Sequence, residues 1–106
     1  MKVNKFYYNP LPDYLEIKKS KIDGMGIFAK EDIERDTNIG ITHVQIPILT
    51  NFLRTPLGGF INHSEENNCY LAEMLNWDRY KVFNLFSEVD ILKGEEITLN
   101  YHIYDL

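Results

Sequence analysis

Three short stretches of this chain carry residue types that can take part in chemistry. They are Gly24-Met25-Gly26-Ile27-Phe28-Ala29, Phe60-Ile61-Asn62-His63-Ser64 and Gly94-Glu95-Glu96-Ile97-Thr98-Leu99-Asn100-Tyr101. The glycines of the first stretch allow a backbone to approach a ligand closely, because glycine lacks a Cβ and tolerates positive φ. The second stretch offers an amide beside an imidazole, and the third is a strand pattern that ends on a phenol.

The first two stretches also have ordinary structural explanations. Taken alone, Gly24 and Gly26 are more typical of a hairpin turn than of a ligand site, and the third glycine of a dinucleotide-binding fingerprint is missing. Asn62 and His63 point to opposite sides if their backbone is extended, so they do not form a catalytic dyad by themselves. In a bent loop, however, their backbone groups could hydrogen-bond an adenine edge.

The third stretch is typical of a turn that enters a strand. Glu95 and Glu96 are expected to be solvated charges near that turn. The commonest state of a tyrosine such as Tyr101 is a packed aromatic ring with a satisfied hydroxyl. A functional interpretation of this stretch therefore depends on the other two.

Metal and hydrolase chemistry are not indicated. The spacing of His43, His63 and His102 has no regularity typical of a metal site, and Cys69 is the only cysteine. Ser64 lacks the Gly-x-Ser-x-Gly context of a hydrolase nucleophile. The sequence therefore predicts no metal ligands.

The composition is that of one soluble domain over residues 1–106. The net charge of -5, with no basic stripe, argues against nucleic-acid binding and weakly favours a basic partner such as a Lys-rich tail. No apolar run is long enough to span a membrane, and Met1 to Pro12 does not resemble a signal peptide. An intracellular protein is expected.

The predicted elements are mostly strands. Alternating apolar residues and turn signals favour strands or hairpins over Tyr14–Lys19, Ile27–Ala29, Ile39–Ile48, Tyr70–Leu75, Tyr80–Phe86 and Ile97–Tyr101, with one helical turn over Asn51–Leu57. We therefore expect a small, mostly β protein with little helix.

In this order the three stretches resemble the SET domain, the fold of a large class of S-adenosylmethionine-dependent protein-lysine methyltransferases. SET domains carry Gly-x-Gly-x-Phe/Tyr-Ala, then Asn-His-Ser/Cys-x-x-Pro-Asn, then Gly-Glu-Glu-Ile/Leu-Thr-x-x-Tyr. The positions that match are Gly24, Gly26, Phe28, Ala29, Asn62, His63, Ser64, Asn68, Gly94, Glu95, Glu96, Ile97, Thr98 and Tyr101. The resemblance covers about residues 14–104.

The resemblance implies a mostly β, SET-type β-clip fold of small curved sheets, with a C-terminal pseudoknot and little helix. It implies that S-adenosylmethionine lies against Met25, Gly26, Asn62 and His63. Tyr101 is then the catalytic residue and also contacts the cofactor, because it lies where the methyl group, the sulfonium and the lysine amine meet. The expected activity is lysine N-methylation of a Lys-rich, histone-like protein segment.

Several positions depart from the family pattern. Asn67 replaces a proline, His102 replaces a glycine, and the segment from Gly40 to Gly58 is shorter than the insert that builds the substrate wall. Because no zinc-binding tail follows, Tyr104 or a second subunit is expected to close the lysine channel, and a homodimer is predicted. Similarly minimal SET proteins are known from viruses. The alternative is a catalytically impaired SET-fold module that binds a peptide or the cofactor.

Overall fold

Strands dominate the computed structural model, which describes residues 9–45, 52–73 and 80–104. The strands are β1 Leu15–Lys19, β2 Met25–Ala29, β3 Asn38–Gln45, β4 Leu53–Arg54, β5 Asn62–His63, β6 Cys69–Glu73, β7 Lys81–Ser87 and β8 Thr98–Leu99. Helix is limited, among these residues, to α1 at Pro56–Phe60 and a 3-10 turn at Tyr101–Ile103. Neither is long and apolar enough to cross a bilayer. The prediction of a mostly β fold with little helix is confirmed.

The strands form three small sheets. β1 pairs with β2, the largest sheet has the order β4-β3-β7-β6, and β5 pairs with β8. The predicted hairpin of the second half is confirmed, because β6 and β7 pair antiparallel with Leu71 opposite Leu85. Its predicted turn falls in 74–79, and the end of the predicted strand Ile39–Ile48 falls in 46–51; both lie outside the described residues.

The helix begins later than the sequence pattern predicts. Leu53–Arg54 is the edge strand β4, and α1 starts at Pro56, because proline is tolerated in the first turn of a helix and Thr55 caps it. The Thr55 hydroxyl accepts from the N–H of Gly58 at 3.2 Å and donates to the carbonyl of Ile41 at 2.6 Å. The cap therefore also ties α1 to β3.

The hydrophobic core contains residues from all three functional stretches. Its buried side chains, all at most 7% exposed, include Leu15, Ile27, Ile33, Ile39, Leu57, Ile61, Leu71, Leu85, Ile91, Ile97 and Leu99. Ile27 from the first stretch, Ile61 from the second and Ile97 and Leu99 from the third all belong to this single cluster. Burial of these apolar side chains is thus the force that draws the three stretches together.

The last stretch lies between β2 and β5, as expected for the pseudoknot. On one side, the N–H of Ile97 donates to the carbonyl of Ile27 at 2.8 Å. On the other side, β8 runs parallel to β5, with Asn62 opposite Thr98 and His63 opposite Leu99. Sequence positions more than 30 residues apart therefore become adjacent strands.

Asn68 locks this arrangement through both ends of its amide. Its Oδ1 accepts from the N–H of Thr98 at 2.9 Å, and its Nδ2 donates to the carbonyl of Glu96 at 2.8 Å. Asn67, where the family pattern has proline, donates from Nδ2 to the carbonyl of Cys69 at 2.9 Å. A side-chain hydrogen bond thus holds this turn where the pattern would place a proline ring.

Candidate active site

The hairpin between β1 and β2 forms one wall of the candidate site. It closes with a hydrogen bond from the N–H of Ser20 to the carbonyl of Gly24 at 2.8 Å, and Gly24 has a φ of +45°, a conformation that favours glycine. Met25 follows and is 47% exposed. The predicted turn at this glycine pair is confirmed.

Gly26 permits a close approach between parts of the protein itself. A Cβ at this position would overlap Oε2 of Glu96, lie 2.9 Å from its Cδ and lie 3.0 Å from Nδ2 of Asn62. The two contacts with Glu96 are shorter than real Cβ atoms show, and the contact with Asn62 is tighter than nine in ten real Cβ contacts. One residue from each of the three stretches thus meets at this point, and the absence of a side chain at Gly26 is what allows it.

The carboxylate of Glu96 hydrogen-bonds two other segments at this point. It accepts from the Ser20 hydroxyl at 2.8 and 2.9 Å and from Nδ2 of Asn62 at 2.7 Å. The expectation of a solvated charge is therefore wrong for Glu96, because this carboxylate is half-buried against two donors. Glu95 does fit that expectation: it is exposed, and its Oε1 accepts from the N–H of Leu92 at the turn.

Asn62 connects β5 to the hairpin. Besides its bond to Glu96, its Nδ2 donates to the carbonyl of Asp23 at 3.1 Å and to that of Met25 at 3.3 Å. A carboxamide is planar with its oxygen on the opposite branch from its nitrogen. Its Oδ1 consequently points away from Glu96.

His63 connects β5 to Tyr101. Its Nδ1 accepts a hydrogen bond from the N–H of Tyr101 at 2.9 Å, and the two ring centroids lie 5.6 Å apart. Adjacent residues in a strand point to opposite sides, so Asn62 hydrogen-bonds the hairpin while His63 hydrogen-bonds Tyr101. This geometry agrees with the sequence prediction that Asn62 and His63 do not form a catalytic dyad.

The Tyr101 hydroxyl donates to the main-chain carbonyl of Ile61, just before β5. Burial raises the pKa of this phenol, and the charge of Arg54 offsets that increase only in part. Tyr101 is therefore protonated at neutral pH. Its proton is directed at Ile61, which leaves the oxygen's lone pairs to accept from another donor.

Tyr104 lies at the edge of the largest sheet. Its hydroxyl accepts from the N–H of Leu71 in β6 at 2.8 Å, and its ring packs against the core. The phenol therefore satisfies a backbone donor of an edge strand. Its predicted role in substrate binding stays a prediction.

One group of described residues has the composition of a metal site, and the sequence reasoning missed its acidic member. Ligand atoms of His63, Glu65 and His102 all lie within 4.8 Å of one another. However, Nδ1 of His63 takes the N–H of Tyr101, so neutral His63 carries its proton on Nε2. Neither nitrogen of this imidazole then presents a free lone pair to a cation.

His43 belongs to the core rather than to the site. It is 2% exposed, and its Nδ1 lies 2.8 Å from the hydroxyl of Thr42. Burial, with a smaller contribution from the charge of Arg54, lowers its pKa to about 4. His43 is therefore neutral at physiological pH.

Comparisons with known proteins agree with this geometry. The SET domain family model matches residues 50–102, which is half of the chain. The H3 lysine-36 specific histone-lysine N-methyltransferase of Schizosaccharomyces pombe is 36% identical over 50 residues, which is 47% of this chain. The chain spans only 6% of the length of that relative.

Two solved structures share the fold. A Plasmodium falciparum protein, provisionally assigned as a histone methyltransferase, superimposes with a TM-score of 0.68 and 25% identity, covering 86% of this chain and 95% of that one. An apo ctPRC2 structure with mutations in Ezh2 gives a TM-score of 0.63 and 20% identity, over 82% of this chain and 15% of that one. The second likeness concerns the fold alone.

Proposed function

The chain belongs to the SET domain family, and on that premise we propose that it is a protein-lysine N-methyltransferase that uses S-adenosylmethionine. The observation that carries this proposal is the placement of Tyr101. Its N–H donates to His63 and its hydroxyl donates to the carbonyl of Ile61, so Tyr101 is held by the two residues that flank Asn62. On the other face of β5, Asn62 bonds the glycine hairpin.

The residues present fit this cofactor. S-adenosylmethionine carries a sulfonium and an ammonium group, both positive, and oxygen acceptors suit such a ligand. The carbonyls of Asp23 and Met25 lie on the hairpin side of β5, where they accept from Nδ2 of Asn62, and the Oδ1 on the other branch of that amide is a further acceptor. We therefore assign Met25, Gly26, Asn62, His63 and Tyr101 to cofactor binding.

The bound cofactor supplies an electrophilic methyl group. A neutral lysine amine would accept this methyl group, with the N–C bond forming as the C–S bond of the sulfonium breaks to a thioether and the amine then losing a proton to solvent. An ordinary lysine has a pKa near 10.4, and an apolar channel favours its neutral form.

The structure suggests how Tyr101 would assist. Because its proton goes to Ile61, its oxygen can accept an N–H of the substrate amine and so direct the nitrogen lone pair at the methyl carbon. The raised pKa keeps this phenol protonated, which makes it a positioning hydrogen-bond partner rather than a general base.

The proposed substrate is a Lys-rich, histone-like protein segment. The net charge of -5 favours a basic partner. We further propose that Tyr104 contributes to substrate binding, that residues 1–106 form one domain, and that the protein acts inside the cell as a homodimer. Sedimentation at micromolar concentration tests the last point, and a purely monomeric protein would remove it.

Titration calorimetry with S-adenosylmethionine tests the cofactor assignment directly. We expect saturable binding to the wild-type chain and loss of that binding in Asn62→Ala, with Asn9→Ala at an exposed position as the control. If the wild type binds cofactor but methylates no lysine peptide, the chain is the non-catalytic binding module. If it binds no cofactor even at millimolar concentration, the proposed function is wrong.

A further inference from the structure

We infer that Glu96 is a positioning residue of the cofactor site: its carboxylate holds the amide of Asn62 so that the oxygen, not the nitrogen, faces the ligand. The inference rests on the proposed function, because it concerns how that site recognises the cofactor. It assigns a role in ligand selection to a residue that the sequence pattern presents as a surface charge.

The orientation of the Asn62 amide follows from its surroundings. A carboxylate only accepts hydrogen bonds, so the branch of Asn62 that lies 2.7 Å from Glu96 has to be the donor Nδ2. The same branch faces the carbonyls of Asp23 and Met25, which also only accept. A flipped amide would set its oxygen against three acceptors, and the bond to the charged carboxylate is the strongest of the three.

Ser20 fixes the carboxylate in turn. Its hydroxyl donates to Glu96, while its oxygen accepts from the N–H of Ile22 at 2.9 Å. The hydroxyl hydrogen is therefore committed to Glu96, and the carboxylate is held between two donors from different segments. Gly26 leaves the space in which this occurs.

The consequence is an oriented acceptor at the hairpin. With its nitrogen turned to Glu96 and to the carbonyls of Asp23 and Met25, Asn62 presents its Oδ1 on the opposite side. Such an acceptor suits a ligand group with N–H donors and a positive charge. In the proposed cofactor that description fits the α-ammonium of the amino-acid moiety, and it does not fit the ribose or the adenine ring.

Two ligands separate this role from a general structural one. S-adenosylhomocysteine keeps the amino-acid moiety, whereas 5′-methylthioadenosine keeps only the nucleoside and the sulfur. In Glu96→Gln the negative charge is lost and one oxygen becomes an N–H donor, so the charge-assisted bond to Nδ2 of Asn62 is lost and the preference for this amide orientation weakens. Glu95→Gln is the matched control, because Glu95 neighbours Glu96, is exposed, and its carboxylate accepts from the N–H of Leu92 within the same turn.

The expected result is selective. S-adenosylhomocysteine should bind Glu96→Gln about tenfold or more weakly than it binds the wild type and Glu95→Gln, since a charge-assisted hydrogen bond is lost. The affinity for 5′-methylthioadenosine should be unchanged. Equal losses for both ligands, or no loss for either, would overturn the inference while leaving the proposed function in place.

Two further outcomes are decisive. If the wild type binds neither ligand, the proposed function itself falls, and the inference falls with it. If circular dichroism shows that Glu96→Gln does not fold, Ser20→Ala carries the test, because it removes the donor that holds the Glu96 carboxylate. A selective loss of S-adenosylhomocysteine in that variant supports the inference, and a parallel loss of both ligands overturns it.

Discussion

Replacing Gly26 with alanine tests the packing at the centre of the candidate site. The new Cβ would lie 2.9 Å from Cδ of Glu96 and closer still to its Oε2, whereas ordinary contacts begin at 3.4 Å. The carboxylate would have to retreat by about 1 Å in a closely packed region. Asn62 blocks part of that retreat, because its Nδ2 lies 3.0 Å from the same Cβ.

The cost of this substitution has two parts. Overpacking costs about 1–3 kcal/mol, and loss of a hydrogen bond to a charged group costs about 1.5–3 kcal/mol. Alanine also restricts the backbone of the unfolded chain, and this stabilises the folded state by about 0.4–1 kcal/mol. We therefore expect Gly26→Ala to lower the free energy of unfolding by about 3 kcal/mol.

Urea unfolding followed by circular dichroism measures this change. The matched control is Gly59→Ala in α1, where a Cβ would meet no atom within 4 Å. That variant should be as stable as the wild type or more stable by up to about 1 kcal/mol, since alanine favours helix. If Gly26→Ala proves as stable as Gly59→Ala, Glu96 does not occupy the position described.

Two further predictions concern buried titratable groups. Because the pKa of His43 falls from 6.5 to about 4 on folding, the unfolded chain binds the proton first. His43 should therefore contribute stability that is present above pH 6.5 and lost as the pH falls towards 4, by on the order of 3 kcal/mol. Denaturant unfolding at pH 7, 5.5 and 4 should show a shallower decline in His43→Gln, and equal declines would contradict this. Burial, reinforced by Glu88, raises the pKa of the Cys69 thiol to about 12. Cys69 should then react with a disulfide reagent in urea and not in the folded protein, and rapid reaction of the folded protein would contradict its burial.

The sequence predicts those features that depend on neighbouring residues. The β1–β2 hairpin follows from alternation and a glycine turn, and β7 follows from the apolar run at 80–86. The three motifs gave the fold because their order along the chain is specific to it. Each of these signals can be recognised within about ten residues.

The hydrogen bonds of the Glu96 carboxylate could not be predicted in this way. Its partners Ser20 and Asn62 are 76 and 34 positions away, and a glutamate beside a turn is ordinarily solvated. The backbone bond from Ile97 to Ile27 and the pairing of β8 with β5 bring them together. The start of α1 was misplaced for a related reason, since pairing with β3 draws Leu53–Arg54 into a strand.

The bond between Tyr104 and β6 is likewise a tertiary feature. The sequence offers a tyrosine near the C-terminal end, and only the folded sheet shows an edge-strand N–H at Leu71 that its hydroxyl can satisfy.

Methyl transfer by the Tyr101→Phe variant tests the central claim most directly. The assay is mass spectrometry of Lys-rich peptides incubated with S-adenosylmethionine, with Tyr70→Phe as the control, because the Tyr70 phenol is at a different edge of the fold, 3.4 Å from Asp36. We predict methylation by the wild type and Tyr70→Phe, and a rate about 100-fold lower in Tyr101→Phe with cofactor affinity retained. Full activity of Tyr101→Phe would contradict the role assigned to this phenol.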